Sequence, residues 1–320
     1  GGSASVAVFA SDAVQRRVDT LLATRPIKTI FAYSGQMAQF VLVKRDGIRF
    51  VMDFVDMDSA KFATYAKQAS GLSAFANAQE AKRLFAFERA VAARADLSLF
   101  VSEAEATLFA RETGLGADKI AFIENGIDLE AYDPAAPRNA VERGEGALIM
   151  FTGQMDYRPN VDAVDGFARQ AMPLIRAQHP SARFAIVGRN PTAEVSALAA
   201  LPGVLVTGEV ADTRDWLAAA DVVVAPLLLA RGIQNKILEA MAMAKPVVAS
   251  PAAAEGIDAG ADDGLIVAQD AEAQAGEVLA LLANPARAKA AGRAARARMI
   301  TRYGWDARLA GLGAMLGFGV

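Results

Sequence analysis

Apolar and polar positions follow two rhythms along this chain, and the change falls near residue 130. In the second half, short and almost wholly apolar runs at 147–151, 183–187, 204–207, 222–226, 246–250 and 265–268 alternate with helical stretches of ten or more residues. Runs of that kind predict strands buried on both faces, which means a parallel sheet with helices on each side. The first half predicts strands at 29–33, 49–54, 97–102 and 120–124. Its helices are amphipathic. One covers 12–23 with Val14, Val18, Leu21 and Leu22 on one face; a second runs on from Ser59, where Phe62, Tyr65, Ala69, Leu72 and Ala76 keep three- and four-residue spacing and leave Lys61 and Lys67 off that face. Ser102 is placed to cap the helix after the third strand, with Glu105 as its capping-box partner.

Between the two halves, 129–146 holds two prolines and many charges without an apolar period. This predicts a first domain at 1–128, a linker at 129–146 and a second domain at 147–295. A tail helix at 296–320 follows, interrupted at Tyr303-Gly304-Trp305 and expected to pack back on the first domain.

Composition narrows the chemistry. The 320 residues are 53% hydrophobic and 22% charged, enough for two ordinary cores. With no cysteine and only His179 as imidazole, thiolate and histidine-cluster metal sites are excluded. His179 reads as a surface residue before a strand. A cytosolic compartment fits the missing cysteines. The most apolar window, 217–230, is broken by Asp221 and Pro226, short of the ~18 apolar residues a spanning helix needs. Net charge is −3, but residues 1–100 hold 13 Lys and Arg against 9 Asp and Glu. That asymmetry and the amphipathic helix from Ser59 make peripheral contact with a membrane surface an expectation, beside the ordinary reading of that face as core. No basic stripe interleaved with aromatics points to nucleic acid.

The most informative stretch is 221–251, DVVVAPLLLARGIQNKILEAMAMAKPVVASP. An apolar strand leads through a loop into a helix carrying Lys236 and Glu239, then out through Lys245-Pro246 to another strand. A helix N-terminus at the end of a strand favours a phosphate, and Arg231 and Lys236 add formal charge where a diphosphate would lie. Glu239, one turn inside the helix, is placed to accept hydrogen bonds from a sugar diol. In a parallel sheet ligands gather beyond the carboxyl ends of the strands. The loops there carry Gly153 to Asn160 with Arg158, then Gly188-Arg189, then Gly208-Glu209-Val210, then Gly232, Ile233, Gln234 and Asn235. Asp53, in the acidic run Asp53-Phe54-Val55-Asp56-Met57-Asp58, ends a strand at the rim and is the acceptor-side candidate; the competing reading is a loop carboxylate capping the next helix. Asp56 and Asp58 also match a metal-binding DxD spacing, which arises often by chance.

Asn125-Gly126-Ile127-Asp128, Phe151-Thr152-Gly153 and the LEAMAMAKPVVAS of 238–250 together resemble the family 4 glycosyltransferases of the GT-B fold. Within that family, Asp53 to Ser59 and Ala230 to Lys236 are similar to sugar transferases of bacterial exopolysaccharide and exosortase loci. The resemblance implies two Rossmann-like α/β domains with parallel sheets facing a cleft. It also implies a nucleotide diphosphate sugar donor, a saccharide or lipid-linked acceptor, retention at the anomeric carbon, and neither metal nor cofactor. Glu239 then holds the ribose, and Arg231 and Lys236 stabilise the leaving diphosphate. Arg231 stands where the family usually has a first glutamate, and Gln154 follows Gly153 where a cation is common, so positive charge has moved across the diphosphate. Arg231→Glu is expected to cut turnover heavily. The family's opening strand–helix units are missing before 29–33, so the first domain is expected to be incomplete. Two other classes stay open: a non-catalytic nucleotide-sugar-binding fragment, and a nucleotide-sugar epimerase of the same fold.

Overall fold

The computed structural model describes residues 2–42, 47–230 and 233–318. The chain forms two compact units, Gly1–Asn125 with Arg308–Val320, and Gly126–Ala307. The stretch 129–146 thus belongs to the second unit. It is fastened there by its polar groups. The Asn139 backbone and side-chain N–H groups donate to the Asp215 carboxylate, each at 3.0 Å, and Arg143 pairs with Asp221 at 2.7 Å.

In the first unit, helices α1 (Ala4–Ala7) and α2 (Asp12–Thr24) precede β1 (Thr29–Tyr33) and β2 (Arg49–Val55). Helices α3 (Asp58–Gln68) and α4 (Gly71–Arg94), strand β3 (Leu97–Phe100), helix α5 (Glu103–Thr113) and strand β4 (Ile120–Phe122) follow. The four strands are parallel in the order β1-β2-β3-β4. Phe54, Phe100 and Phe109 stack under the sheet with ring centroids 4.8–5.4 Å apart. β1 is an edge, and an apolar groove of about 470 Å³ runs beside it, lined among others by Val14, Val18, Leu21 and Leu22 of α2 and by Phe31 and Tyr33.

Two local expectations are corrected here. The helix from Ser59 is not continuous through Ala76: Ala69 and Ser70 are extended and Gly71 has φ +58°, so Phe62 and Tyr65 lie on α3 while Leu72 and Ala76 lie on α4. The apolar spacing carries across the break, but a left-handed glycine cannot. Ser102 does accept the Glu105 N–H at 3.2 Å, yet the Glu105 carboxylate turns away to accept from Met57 N–H at 2.8 Å. A donor at the start of α3 competes for it more closely than the cap does.

The second unit alternates strand and helix throughout. β5 (Leu148–Thr152), α6 (Arg158–Gly166), α7 (Met172–Gln178), β6 (Arg183–Val187), α8 (Ala193–Ala197) and β7 (Val204–Gly208) build one half. Helix α9 (Thr213–Ala219) leads to β8 (Val222–Ala225), α10 (Asn235–Ala242), β9 (Val247–Ala249), α11 (Pro251–Ala254) and β10 (Leu265–Val267), and α12 (Ala271–Ala283) and α13 (Pro285–Arg298) close the unit. The parallel order is β10-β9-β8-β5-β6-β7. The chain therefore winds outward from β5 in one direction and returns at β8 to wind in the other. β5 and β8 flank the switch point, where the loops that follow diverge and leave a crevice.

α14 (Trp305–Leu309) and α15 (Leu312–Met315) end the described chain. Leu312, Met315 and Leu316 pack on Val51, Leu97 and Leu99 of the first sheet. Arg308 pairs with Glu124 at 2.5 Å, and Arg49 donates to the Met315 carbonyl at 2.8 Å.

Candidate functional site

At the carboxyl ends of the second sheet the loops are laced together by backbone bonds. Gly153 N–H donates to the Val187 carbonyl at 3.1 Å, Met155 N–H to Arg189 at 2.9 Å, and Gly188 N–H to Gly208 at 3.2 Å. The glycines are required by this proximity. A Cβ on Gly188 would sit 1.7 Å from the Gly153 oxygen, and one on Gly153 would meet Asn160 Nδ2 at 2.7 Å. Arg189 adds a side-chain bond to Gln154 at 3.3 Å.

These loops and α10 enclose a cavity of about 500 Å³. Of the residues singled out from the sequence, Gly153, Gly188, Arg189, Val210, Gln234, Lys236 and Glu239 line it, beside Asn160, Glu209 and Thr213. A cavity of that size suits a nucleotide.

Lys236 comes from the first turn of α10, after β8, and reaches across the switch point. Its ammonium donates to Asn160 Oδ1 at 2.6 Å and lies 4.2 Å from the centre of the Phe151 ring. Asn160 belongs to α6, after β5, and its amide also donates to the Gln154 carbonyl at 2.9 Å. One buried side chain thus ties the loop after β5 to the cation after β8. Burial draws Lys236 down to about 8, against an upward pull from Glu239. Burial pushes the Glu239 carboxyl up, while a hydrogen bond from the Tyr132 hydroxyl and the Lys236 charge hold it down. Tyr132 itself is raised, by burial first and then by the Glu239 charge. The cavity therefore presents a preorganised cation and carboxylate on one helical turn, each steadied by a neutral partner from elsewhere in the unit.

Other singled-out residues lie elsewhere. Arg158 is off the cavity: its exposed guanidinium pairs with Asp162, one turn along α6, and with Glu194 at 3.2 Å. Two near carboxylates outcompete an open cavity for it. Ile233 packs against the core, and Asn235 opens α10 without lining the cavity. Arg231 and Gly232 lie outside the described residues. Asp53 sits in the first unit, where its Oδ1 accepts from the Val55 N–H at 3.0 Å. Val55 has φ +69°, and the register with β3 shifts there, so Asp53 supports a bulge rather than capping α3. Burial raises the Asp53 carboxyl, the Val55 bond opposing it. Asp56 and Asp58 both pair with Lys61, at 2.7 and 3.2 Å. Among the described residues, no group of three or more His, Cys, Asp or Glu converges as a metal site. His179 ends α7 and lines a cavity with Lys245 and Lys289.

Tyr132 and Thr213 were not singled out from the sequence, and Asn160 was named there only as the end of the β5 loop. Asn160 carried a weak signal, directly after Pro159 in that loop. Tyr132 carried none, since it lies in a charged stretch 107 residues before Glu239.

Residues 146–284 match the family model of the glycosyl transferases group 1. Over 158 residues, 49% of this chain, there is 28% identity to a phosphatidyl-myo-inositol mannosyltransferase of Propionibacterium freudenreichii; the match spans 39% of that relative's length. Among solved structures, HepE of Anabaena in complex with UDP aligns with a TM-score of 0.65 at 16% identity, covering 95% of this chain and 81% of that one. A glycosyltransferase from Rickettsia africae aligns at 0.61 with 14% identity, covering 96% and 82%. Sucrose-phosphate synthase from Thermosynechococcus elongatus aligns at 0.58 with 17% identity, covering 94% and 76%. The fold is α/β with two parallel sheets, that of the GT-B glycosyltransferases.

Proposed function

We propose that this chain is a glycosyltransferase whose second unit binds a nucleotide diphosphate sugar, and that the sugar passes with retention to a hydroxyl of a lipid-linked saccharide in exopolysaccharide biosynthesis. The observation that carries the reading is the placement of Lys236 and Glu239, one turn apart, over the crevice between β5 and β8. The diphosphate lies against the Lys236 ammonium and the N-terminus of α10, the ribose diol is held by Glu239, and the base lies toward Gly188-Arg189 and Glu209-Val210. The resemblance also assigns Arg231 to the diphosphate. HepE was solved with UDP, which supports a nucleotide ligand for a cavity in this fold. The name of the mannosyltransferase relative supports a lipid acceptor.

In the reaction the bond from the anomeric carbon to the diphosphate oxygen breaks, the bond to the acceptor oxygen forms on the same face, and the acceptor proton passes to the leaving phosphate oxygen. Charge builds on the diphosphate in the transition state, so a preorganised cation there is the main catalytic requirement. Lys236 meets it without reorganising, since Asn160 and Phe151 already fix its position. Asp53 is assigned to the acceptor hydroxyl. The site works on the cytoplasmic face of the membrane.

Calorimetric titration with UDP, GDP and their sugars, with product analysis on a lipid-linked acceptor, tests this reading. Transfer with retained anomeric configuration supports it. Binding without transfer or hydrolysis supports the binding-module alternative, and no nucleotide binding overturns both.

A further inference from the structure

We infer that the exposed face of α4, with its α3 junction, is a docking surface for an anionic lipid bilayer. The 24-residue helix carries two acids and four bases, and the fold sorts them completely. Both acids are buried: Glu80 is 8% exposed and Glu88 2%. Glu80 is turned inward to cap α1, accepting from the Ser3 hydroxyl at 2.5 Å and from the Ala4 and Ser5 N–H groups at 3.0 and 2.8 Å. Glu88 accepts from Ser59 at its hydroxyl and N–H, at 2.5 and 3.1 Å. Lys82, Arg83, Arg89 and Arg94 are all exposed. Every charged side chain that α4 exposes is thus a base.

Its first turn is apolar. Leu72 is 89% exposed and Phe75 64%, on the same side of α4 as the bases by helical spacing. Two large apolar side chains exposed together, one helical turn apart, form an apolar patch of the kind that marks a contact surface. A second apolar tip lies near. α1 packs on α4, Val6 and Ala7 line a shallow groove with Lys82 and Arg83, and the next two residues, Val8 and Phe9, are 80% and 53% exposed.

Charge complementarity decides the occupant. Lys82 to Arg94 spaces cations over about 18 Å of helix, as an array of anionic headgroups would meet them, far beyond the span of a single acidic side chain. Protruding Leu and Phe beside such an array is the composition of an interfacial helix, the apolar residues entering the acyl boundary while the lysine and arginine stems reach back to the headgroups. This surface lies wholly in the first unit and does not depend on the nucleotide site.

Co-sedimentation of the full chain with phosphatidylcholine vesicles containing about one third phosphatidylglycerol tests it, with UDP titration run alongside as an independent check on the second unit. The anionic vesicles are expected to bind the chain at least about tenfold more tightly than pure phosphatidylcholine vesicles, with affinity falling as salt rises. Leu72→Ser with Phe75→Ser, and separately Lys82→Glu with Arg83→Glu, are each expected to lower the anionic partition about tenfold or more while UDP binding is unchanged. Absence of vesicle binding by the native chain, or partition unchanged in both double variants, overturns the inference. So does a dimer that dissociates in the Leu72→Ser, Phe75→Ser variant without any vesicle binding, which assigns the face to a second copy.

Discussion

The Lys236 ammonium stands 2.6 Å from the Asn160 side-chain oxygen, and that bond joins the two halves of the second sheet across its switch point. The cation we propose for the diphosphate is thus held in advance by an uncharged acceptor, which leaves its charge available to a phosphate.

Lys236→Met is expected to weaken UDP binding by about 1.5–3 kcal/mol, roughly 10- to 100-fold, because a charge-assisted contact is lost. The same change should raise the stability of the second unit by about 1–3 kcal/mol at neutral pH, since the fold then no longer buries an ammonium. Titration calorimetry and urea unfolding measure the two effects, and opposite signs are the signature. With a folded-state value near 8 against the ordinary 10.5, the unfolded chain binds the extra proton between those limits. Stability contributed by this group therefore rises with pH across that window, while UDP affinity falls above about pH 8.

Asn160→Ala releases both Lys236 and the Gln154 carbonyl, and UDP affinity should drop about tenfold through lost preorganisation. Asn160→Asp keeps the position but adds a negative charge beside the ammonium. It should shift the alkaline limb of the UDP binding profile to higher pH. An unmoved limb in Asn160→Asp would count against a direct contact.

Tyr132→Phe removes the hydrogen bond to the Glu239 carboxylate without changing ring packing. Glu239 should then titrate at higher pH, so the acid limb of UDP binding moves up and affinity at neutral pH falls roughly 3- to 10-fold. The pH profile separates this positioning effect from general loosening, which would lower affinity equally at every pH.

In the first unit, burial pushes the Glu88 carboxyl up to about 7, with the Ser59 bonds opposing it. A folded value above the ordinary 4.5 makes its contribution to stability complete below pH 4.5 and lost as pH rises through about 7. Hydrogen exchange of the β2 and β3 amides should report a first unit about 2–3 kcal/mol more stable at pH 5 than at pH 8 from this group alone. Glu88→Gln keeps an acceptor for Ser59 and should remove that dependence.

The strands of the second sheet were readable to within a residue or two because they are buried on both faces, and a wholly apolar run between helices has few other places to go. The gathering of 153–154, 188–189, 209–210 and 234–239 at one rim was readable for the same reason, since parallel topology sends all those loops to the carboxyl end of the sheet. The break between α3 and α4 was less legible: its Ser70-Gly71 signal competed with an apolar period that continues on both sides.

What the sequence by itself determined is the alternation of apolar strand and helix, and with it the parallel sheets and the rim where Lys236 and Glu239 had to lie. These depend on spacing along the chain, which a sequence states directly. The tertiary structure alone decided which partner each polar group took. Arg158 was claimed by Asp162 and Glu194, Lys236 by Asn160 76 residues away, and Glu80 by the N-terminus of α1. A charged side chain takes whichever partner satisfies it best at hydrogen-bonding distance, and distances between remote segments do not exist until the fold has formed.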